Sequence, residues 1–253
     1  MRKALVTGAS RGIGRATAIA LSERGDRVAV HYGSDADGAR ETLSRLHGDG
    51  HVIVGGDLTD PAVAERIVQE AETALDGVDA LVNNAGIAPS PRTEHPVDGT
   101  DARTWRERFG RMIDVDLMAP AHLSQLVARS LIARGAHGVI VNVGSRGAFR
   151  GEPEAPGYAA AKAGLHALGQ SLAVALAPHG IAVASVAPGF VGTERQQDKL
   201  TGPSGDDLRA QSPFGRVGTA EEIAAAILYL TSPAAQWASG TVLDLNGASH
   251  LRT

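Results

Sequence analysis

The chain of 253 residues contains no cysteine. Disulfides, thiolate zinc sites, iron–sulfur clusters and cysteine nucleophiles are therefore excluded. Aromatic residues make up only 4%, and the tryptophans, Trp105 and Trp237, read as packing or interface groups. Long apolar runs are missing too. Arg2 and Lys3 are followed only by Ala4-Leu5-Val6 before Thr7-Gly8, whereas a secretory core needs roughly 7–15 apolar residues and a membrane span roughly 18. A cytoplasmic protein without a membrane or targeting segment is expected. Positive charge is not in excess: the net charge is −4, so neither nucleic acid nor an anionic membrane is an expected partner. The nine histidines are scattered along the chain, and no metal site is expected. Ser145 stands in Gly-Ser-Arg-Gly, not in a hydrolase elbow, and has no identifiable His–Asp partners.

Hydrophobic residues make up 43% and charged residues 21%, the composition of a folded domain. Short apolar runs at 4–6, 27–32, 51–54, 80–82, 139–143, 181–186 and 241–245 read as strands buried on both faces. Helical patterns lie between them at 12–24, 36–47, 61–75, 104–133, 157–177 and 220–230. Asp60-Pro61 and Thr219 before Glu221-Glu222 mark two helix starts. This alternation predicts an α/β fold, a Rossmann-like doubly wound parallel sheet flanked by helices, in a single domain spanning 1–253. Two irregular segments, 88–103 and 193–213, are long enough to be functional lids.

The first strand runs into Thr7-Gly8-Ala9-Ser10-Arg11-Gly12-Ile13-Gly14, which opens a helix. Glycines at 8, 12 and 14 permit a tight turn, close backbone approach and close helix–strand packing. A helix N-terminus offers N–H groups and partial positive charge to a pyrophosphate. The second strand ends in Tyr32-Gly33-Ser34, without the carboxylate that would grip a ribose 2′-hydroxyl. Asp35 and Asp37 lie close by, but Arg11 could pair with a 2′-phosphate, which favours NADP over NAD.

Tyr158 and Lys162, in Tyr-Ala-Ala-Ala-Lys, share one face of a helix. The ammonium should draw the phenol below its usual pKa of about 10, as befits a general acid/base. Ser145, at the end of the fifth expected strand, could hydrogen-bond the same substrate oxygen.

Taken together, the glycine turn, Asn83-Asn84-Ala85-Gly86, Ser145, Tyr158-x-x-x-Lys162 and Pro188-Gly189 closely resemble the short-chain dehydrogenase/reductase family. The similarity is greatest to its single-domain branch of 3-oxoacyl-carrier-protein reductases, and it runs from Lys3 to about Gly247. It implies that Tyr158 is the acid/base, that Lys162 tunes it and holds the nicotinamide ribose, and that Ser145 orients the reacting oxygen. Asp57-Leu58 would contact adenine. Asn84, Ala85 and Gly86 would line the cofactor, and Val191 and Thr193 would lie near the nicotinamide amide. The reaction implied is hydride transfer between NADP(H) and a small-molecule ketone or secondary alcohol, in a homotetramer built on paired long helices and C-terminal segments. A non-catalytic NAD(P)-binding sensor on the same fold is the alternative.

The chain departs from the family pattern in three places. Asp116, in Ile113-Asp114-Val115-Asp116-Leu117, stands where the family usually has an Asn that helps hold a water in a proton relay to the lysine. An ionised Asp accepts hydrogen bonds but cannot donate, and beside Lys162 it would favour the ammonium; activity with a shifted pH profile is expected. Segment 87–111 is longer than in compact reductases, and its Pro89, Pro91, His95 and Pro96 are expected to rim the substrate cleft. Asn246-Gly247-Ala248 replaces a common Gly-Gly pair.

Overall fold

The structure, a computed structural model, describes residues 1–252; Thr253 and the side chains of Arg195 and Asp198 lie outside the described residues. The strands are β1 (Lys3–Val6), β2 (Arg27–Tyr32), β3 (Val52–Gly55), β4 (Ala80–Asn83), β5 (Gly138–Val143), β6 (Ile181–Pro188), β7 (Val191–Gly192), β8 (Gly218–Thr219) and β9 (Val242–Leu245). The helices are α1 (Gly12–Glu23), α2 (Ala36–Ser44), α3 (Pro61–Leu75), α4 (Ala102–Ile113), α5 (Ala119–Ala133), α6 (Gly147–Arg150), α7 (Pro156–Leu176), α8 (Gln197–Thr201), α9 (Gly205–Ala210) and α10 (Ala220–Leu230).

Seven strands form one parallel sheet in the order β3-β2-β1-β4-β5-β6-β9, and β7 pairs with β8 separately. Both faces are covered, which is why the strands read as apolar runs. Alternate strand residues feed two cores. Leu5, Leu81, Ile140 and Val183 pack with α3, α5 and α7. Val6, Val82, Val141 and Val186 pack with α1 and α10. The chain winds outward from β1 in one direction to β3 and in the other through β4 to β9. The crevice at that reversal, beyond the carboxyl ends of β1 and β4, is where such sheets bind ligands.

Local chemistry sets the helix ends. Asp60 accepts from the Ala62 N–H at 2.9 Å, with Pro61 in the first turn of α3. Thr219 and Glu222 form a reciprocal capping box on α10. Asp101 caps α4 by accepting from the Arg103 and Thr104 N–H groups. The single helix expected over 104–133 is instead two helices joined by a π-turn at Asp114–Met118. Pro120 is the physical reason: it has no N–H to return to residue 116, and its ring crowds that carbonyl. The widened turn carries Asp116, and π-bulges of this kind recur at functional sites. Among the described residues, no helix is long and apolar enough to cross a membrane.

Candidate active site

The glycine turn is held from three sides. Gly8 adopts φ +61°, and a Cβ there would lie 2.9 Å from the Ala85 Cα. The Asn84 side-chain amide donates to the Thr7 and Gly8 carbonyls at 2.9 and 3.0 Å. His31, buried at the end of β2, accepts from the Gly8 N–H through Nδ1 at 3.1 Å and donates through Nε2 to the Gly56 carbonyl at 3.1 Å. Burial pushes this imidazole down to about 4, so it stays neutral and keeps both roles. His31 ties the turn to β2 and β3. Its sequence signal was a polar residue within an otherwise apolar strand.

Two expected cofactor residues do not line the cleft. Gly14 packs inside it: a Cβ there would fall 2.4 Å from the Gly8 carbonyl oxygen, so this glycine closes helix against turn. Tyr32 turns away, because its ring lies over Gly55 of β3, where a Cβ would meet Cζ at 2.4 Å. Side chains alternate along a strand, and at this strand end His31, Gly33 and Ser34 face the cleft instead. Asp35 reaches the cleft wall, but its carboxylate caps α2 by accepting from the Gly38 N–H at 2.9 Å. Asp37 pairs with Arg40 on the surface.

The remaining expected residues do line one cleft of about 680 Å³. At its outer end Asp57 accepts from the Thr59 N–H and hydroxyl at 3.0 and 2.8 Å and pairs with Arg111 at 3.1 Å. The Thr59 N–H, with help from Arg111, holds the Asp57 carboxyl below its usual range. At the N-terminus of α1, the Gly12 N–H donates to the Glu194 carboxylate at 3.1 Å. A carboxylate on this N–H is a test of fit: the turn accepts an anionic oxygen where a pyrophosphate would lie.

At the inner end, α7 starts at Pro156 and presents Tyr158 and Lys162 one turn apart. Lys162 is buried. Its Nζ donates to the Val143 carbonyl at 3.0 Å, meets Asp116 Oδ1 at 3.1 Å, and lies 5.8 Å from the centre of the Tyr158 ring. The Asp116 carboxylate also accepts from the Ile87 N–H at 3.2 Å. Burial raises the Tyr158 phenol above its ordinary value, against the pull of Lys162, and Asp116 adds to the rise; a hydrogen bond with Ser145 lowers it. The expectation of a net lowered phenol is thus corrected. Lys162 pulls in the foreseen direction, but desolvation outweighs it and Asp116 offsets it.

The two irregular segments behave differently. Of 88–103 only Ala88 and Pro89 reach the cleft. His95 is fully buried, donating through Nδ1 to the Thr93 carbonyl at 2.8 Å and accepting the Gly157 N–H through Nε2 at 3.0 Å, against Trp105 and Phe109. The segment expected to rim the cleft mostly anchors the N-terminus of α7, next to Tyr158. From 193–213, Thr193, Gln196, Lys199, Leu208 and Gln211 face the cleft. Lys199 donates to the Pro89 carbonyl at 3.1 Å and so links the two rims. Residue-by-residue reading also missed Arg146, which directly follows Ser145, is 7% exposed and lines the cleft.

Residues 8–250 match a family model described as enoyl-(acyl carrier protein) reductase. The chain is 37% identical over 252 residues to the 3-oxoacyl-[acyl-carrier-protein] reductase of Escherichia coli (strain K12), covering 98% of this chain and 97% of that one. It is 35% identical over 251 residues to an L-rhamnose 1-dehydrogenase (NAD(P)(+)) of Sphingomonas sp. (strain SKA58), covering 98% and 95%. A solved dehydrogenase/reductase from Sinorhizobium meliloti 1021 superposes with a TM-score of 0.87 at 29% identity, covering 99% and 95%. The chain belongs to the short-chain dehydrogenase/reductase family. It is an NAD(P)-dependent oxidoreductase acting on alcohol and carbonyl groups, and nothing among these relatives supports a non-catalytic sensor.

Proposed function

We propose that the protein is an NADP(H)-dependent reductase and dehydrogenase of ketones and secondary alcohols, with Tyr158 as its general acid/base. The observation that carries this reading is the meeting of Ser145, Tyr158 and buried Lys162 at the inner end of a cleft whose outer end is the glycine turn. The turn from Gly8 to Ile13, with Asn84, Ala85 and Gly86, would hold the dinucleotide. Lys162, Pro188, Gly189, Val191 and Thr193 would flank its nicotinamide half, and Asp57 and Leu58 its adenine. Bound there, nicotinamide supplies or accepts the hydride.

The chain supplies position and the proton. Ser145 donates a hydrogen bond to the substrate oxygen. In reduction Tyr158 gives that oxygen its proton, and in oxidation it takes one back. A phenol held protonated by burial suits the donor role. Lys162 lends the phenolate electrostatic support as it forms, and Asp116 fixes the ammonium. NADP over NAD is supported by the absence of an uncommitted carboxylate at the end of β2, where Asp35 is spent on α2, and by exposed Arg11 on the cleft wall.

A homotetramer and a cytoplasmic location belong to the same proposal. Met118, Ile132 and Val174 on or beside α5 and α7, and fully exposed Trp237, offer apolar surface for partner copies. Loss of NADPH absorbance over a panel of ketones tests the activity. Tyr158→Phe should abolish turnover while NADPH still binds; full turnover in that variant refutes the mechanism. An Arg11→Ala variant should lose preference for NADPH over NADH, and sedimentation should give four copies, not one.

A further inference from the structure

We infer that the substrate carries a carboxylate and that Arg146 receives it. The inference rests on the oxidoreductase reading and adds the substrate class to it. Arg146 immediately follows Ser145, and its backbone N–H donates to the Pro188 carbonyl at 3.0 Å, which fixes it at the inner end of the cleft. A guanidinium keeps its charge in any protein environment, so burying one without a counter-charge is costly. Arg146 is 7% exposed, yet its guanidinium meets only neutral acceptors: Nη1 donates to the Ser249 hydroxyl and Nη2 to the Gln211 side-chain oxygen. Among the described residues no carboxylate lies within ion-pair distance of it. Glu152, the acid that faces it, leans toward Arg150 at 3.9 Å.

The position of this charge indicates what should neutralise it. Arg146 lines the main cleft and also an adjoining chamber of about 340 Å³ with a mixed wall, in which Phe190, Leu208 and Phe214 stand beside the charged Arg216, Glu222 and Asp244. Glu222 is paired with Arg216 and Asp244 with Arg252, so Arg146 stands between the reacting centre and a chamber whose acids are already engaged. A guanidinium takes a carboxylate through paired, charge-assisted hydrogen bonds, and Ser249 and Gln211 are neutral acceptors that such a group would outcompete. Arg150 and Glu152, 3.9 Å apart beside it, offset one another, so Arg146 leaves one net positive charge, which suits a monoanion better than a phosphate dianion. Ser145 and Arg146 both line the cleft, so one bound molecule can reach both, and the spacer between its carbonyl and its carboxylate is the variable to scan.

The test uses methyl-ketone acids with spacers of one to four methylene groups, their methyl esters, and the matching phosphonates, each with NADPH. The acid should exceed its ester in kcat/KM by about tenfold or more for at least one spacer. In Arg146→Gln the acid-to-ester ratio should fall toward one, mainly through KM, and Arg146→Lys should restore part of it. Equal use of acid and ester at every length overturns the inference, as does an equal loss for both in Arg146→Gln, which would mark the arginine as a structural clamp between lid and tail. A phosphonate used better than the acid overturns the carboxylate assignment. Binding of the same compounds to the Tyr158→Phe enzyme with NADPH, followed by nucleotide fluorescence, separates the two readings. Acid bound tighter than ester without turnover in the wild type would sink the oxidoreductase reading but not this one. No charge discrimination in binding would sink this one alone.

Discussion

Replacing Asp116 with asparagine should move the pH profile toward acid. The carboxylate lies 3.1 Å from Lys162 Nζ and raises the Tyr158 phenol. Seen from the phenol, ammonium and carboxylate nearly form a dipole, and removing the carboxylate leaves the cation's pull uncompensated. One unit charge acting over roughly 7–10 Å at an effective dielectric of about 20 is worth about 1.7–2.4 kcal/mol, or between about one and two pH units. The sign follows: a lower phenol pKa shifts the rising limb for alcohol oxidation, and the falling limb for ketone reduction, to lower pH. Asparagine keeps a side-chain oxygen for the Ile87 N–H and for Lys162, so the fold should survive, and a thermal melt checks that. The assay is kcat/KM against pH in both directions for the two enzymes. Superimposable curves, or a shift toward alkali, would refute the reasoning.

Three further outcomes follow from groups around the site. His31 and His166 are both pushed down to about 4, chiefly by burial, so the unfolded chain takes up protons the folded one refuses. Their stabilisation is complete above the ordinary histidine range and declines as pH falls from about 6.5 to about 4, costing about 2 kcal/mol each by pH 5. Urea midpoints at pH 8 and pH 5 should differ less in His166→Leu than in the wild type; an unchanged difference counts against the account. Glu194, whose carboxylate occupies the Gly12 N–H, should compete with a pyrophosphate, so Glu194→Gln should bind NADPH about three- to fivefold tighter, and weaker binding in calorimetry would reject the competition. Ala248 sits at φ +57°, in the left-handed region. Ala248→Gly should raise stability by up to about 1 kcal/mol, strain relief less glycine's greater backbone entropy, and a fall in the melting temperature would contradict this.

Much of the fold could be read from the sequence because parallel strands buried on both faces leave a simple signature. The seven expected strands all lie in the sheet, and Asp60, Thr219 and Pro61 act where a helix-start argument puts them. The short elements β7, β8, α6, α8 and α9 carry no periodic signal, and the largest departure from the expected helices lies at a proline. Pro120 sits inside an apolar helical pattern, and periodicity carried the reading straight through it. The backbone cannot do the same, because residue 116 has no N–H from residue 120 to accept. The π-turn that results sets Asp116 against Lys162, so the departure from helix periodicity and the departure from the family's usual asparagine occur at one place.

The site was legible where its residues are set by backbone direction and hidden where they are set by tertiary contact. Helix spacing was enough to pair Tyr158 with Lys162. Spacing could not reveal that burial and Asp116 would push the phenol opposite to the pull of that lysine, because desolvation is a property of packing. Tyr32 was misplaced by a single step of strand alternation, which sends its ring over Gly55 and brings His31 into the turn. His95 lay in a segment that looks like a loose rim, yet its ring accepts the N–H of Gly157 and steadies the first turn of α7. Arg146, beside Ser145, carries no signal in the sequence, where an arginine reads as solvated surface. Only its burial, with no carboxylate among the described residues at ion-pair distance, distinguishes it, and the same burial gives it a role: the acid–base chemistry can be supplied by residues shared across the family, while the choice of substrate falls to the arginine beside them.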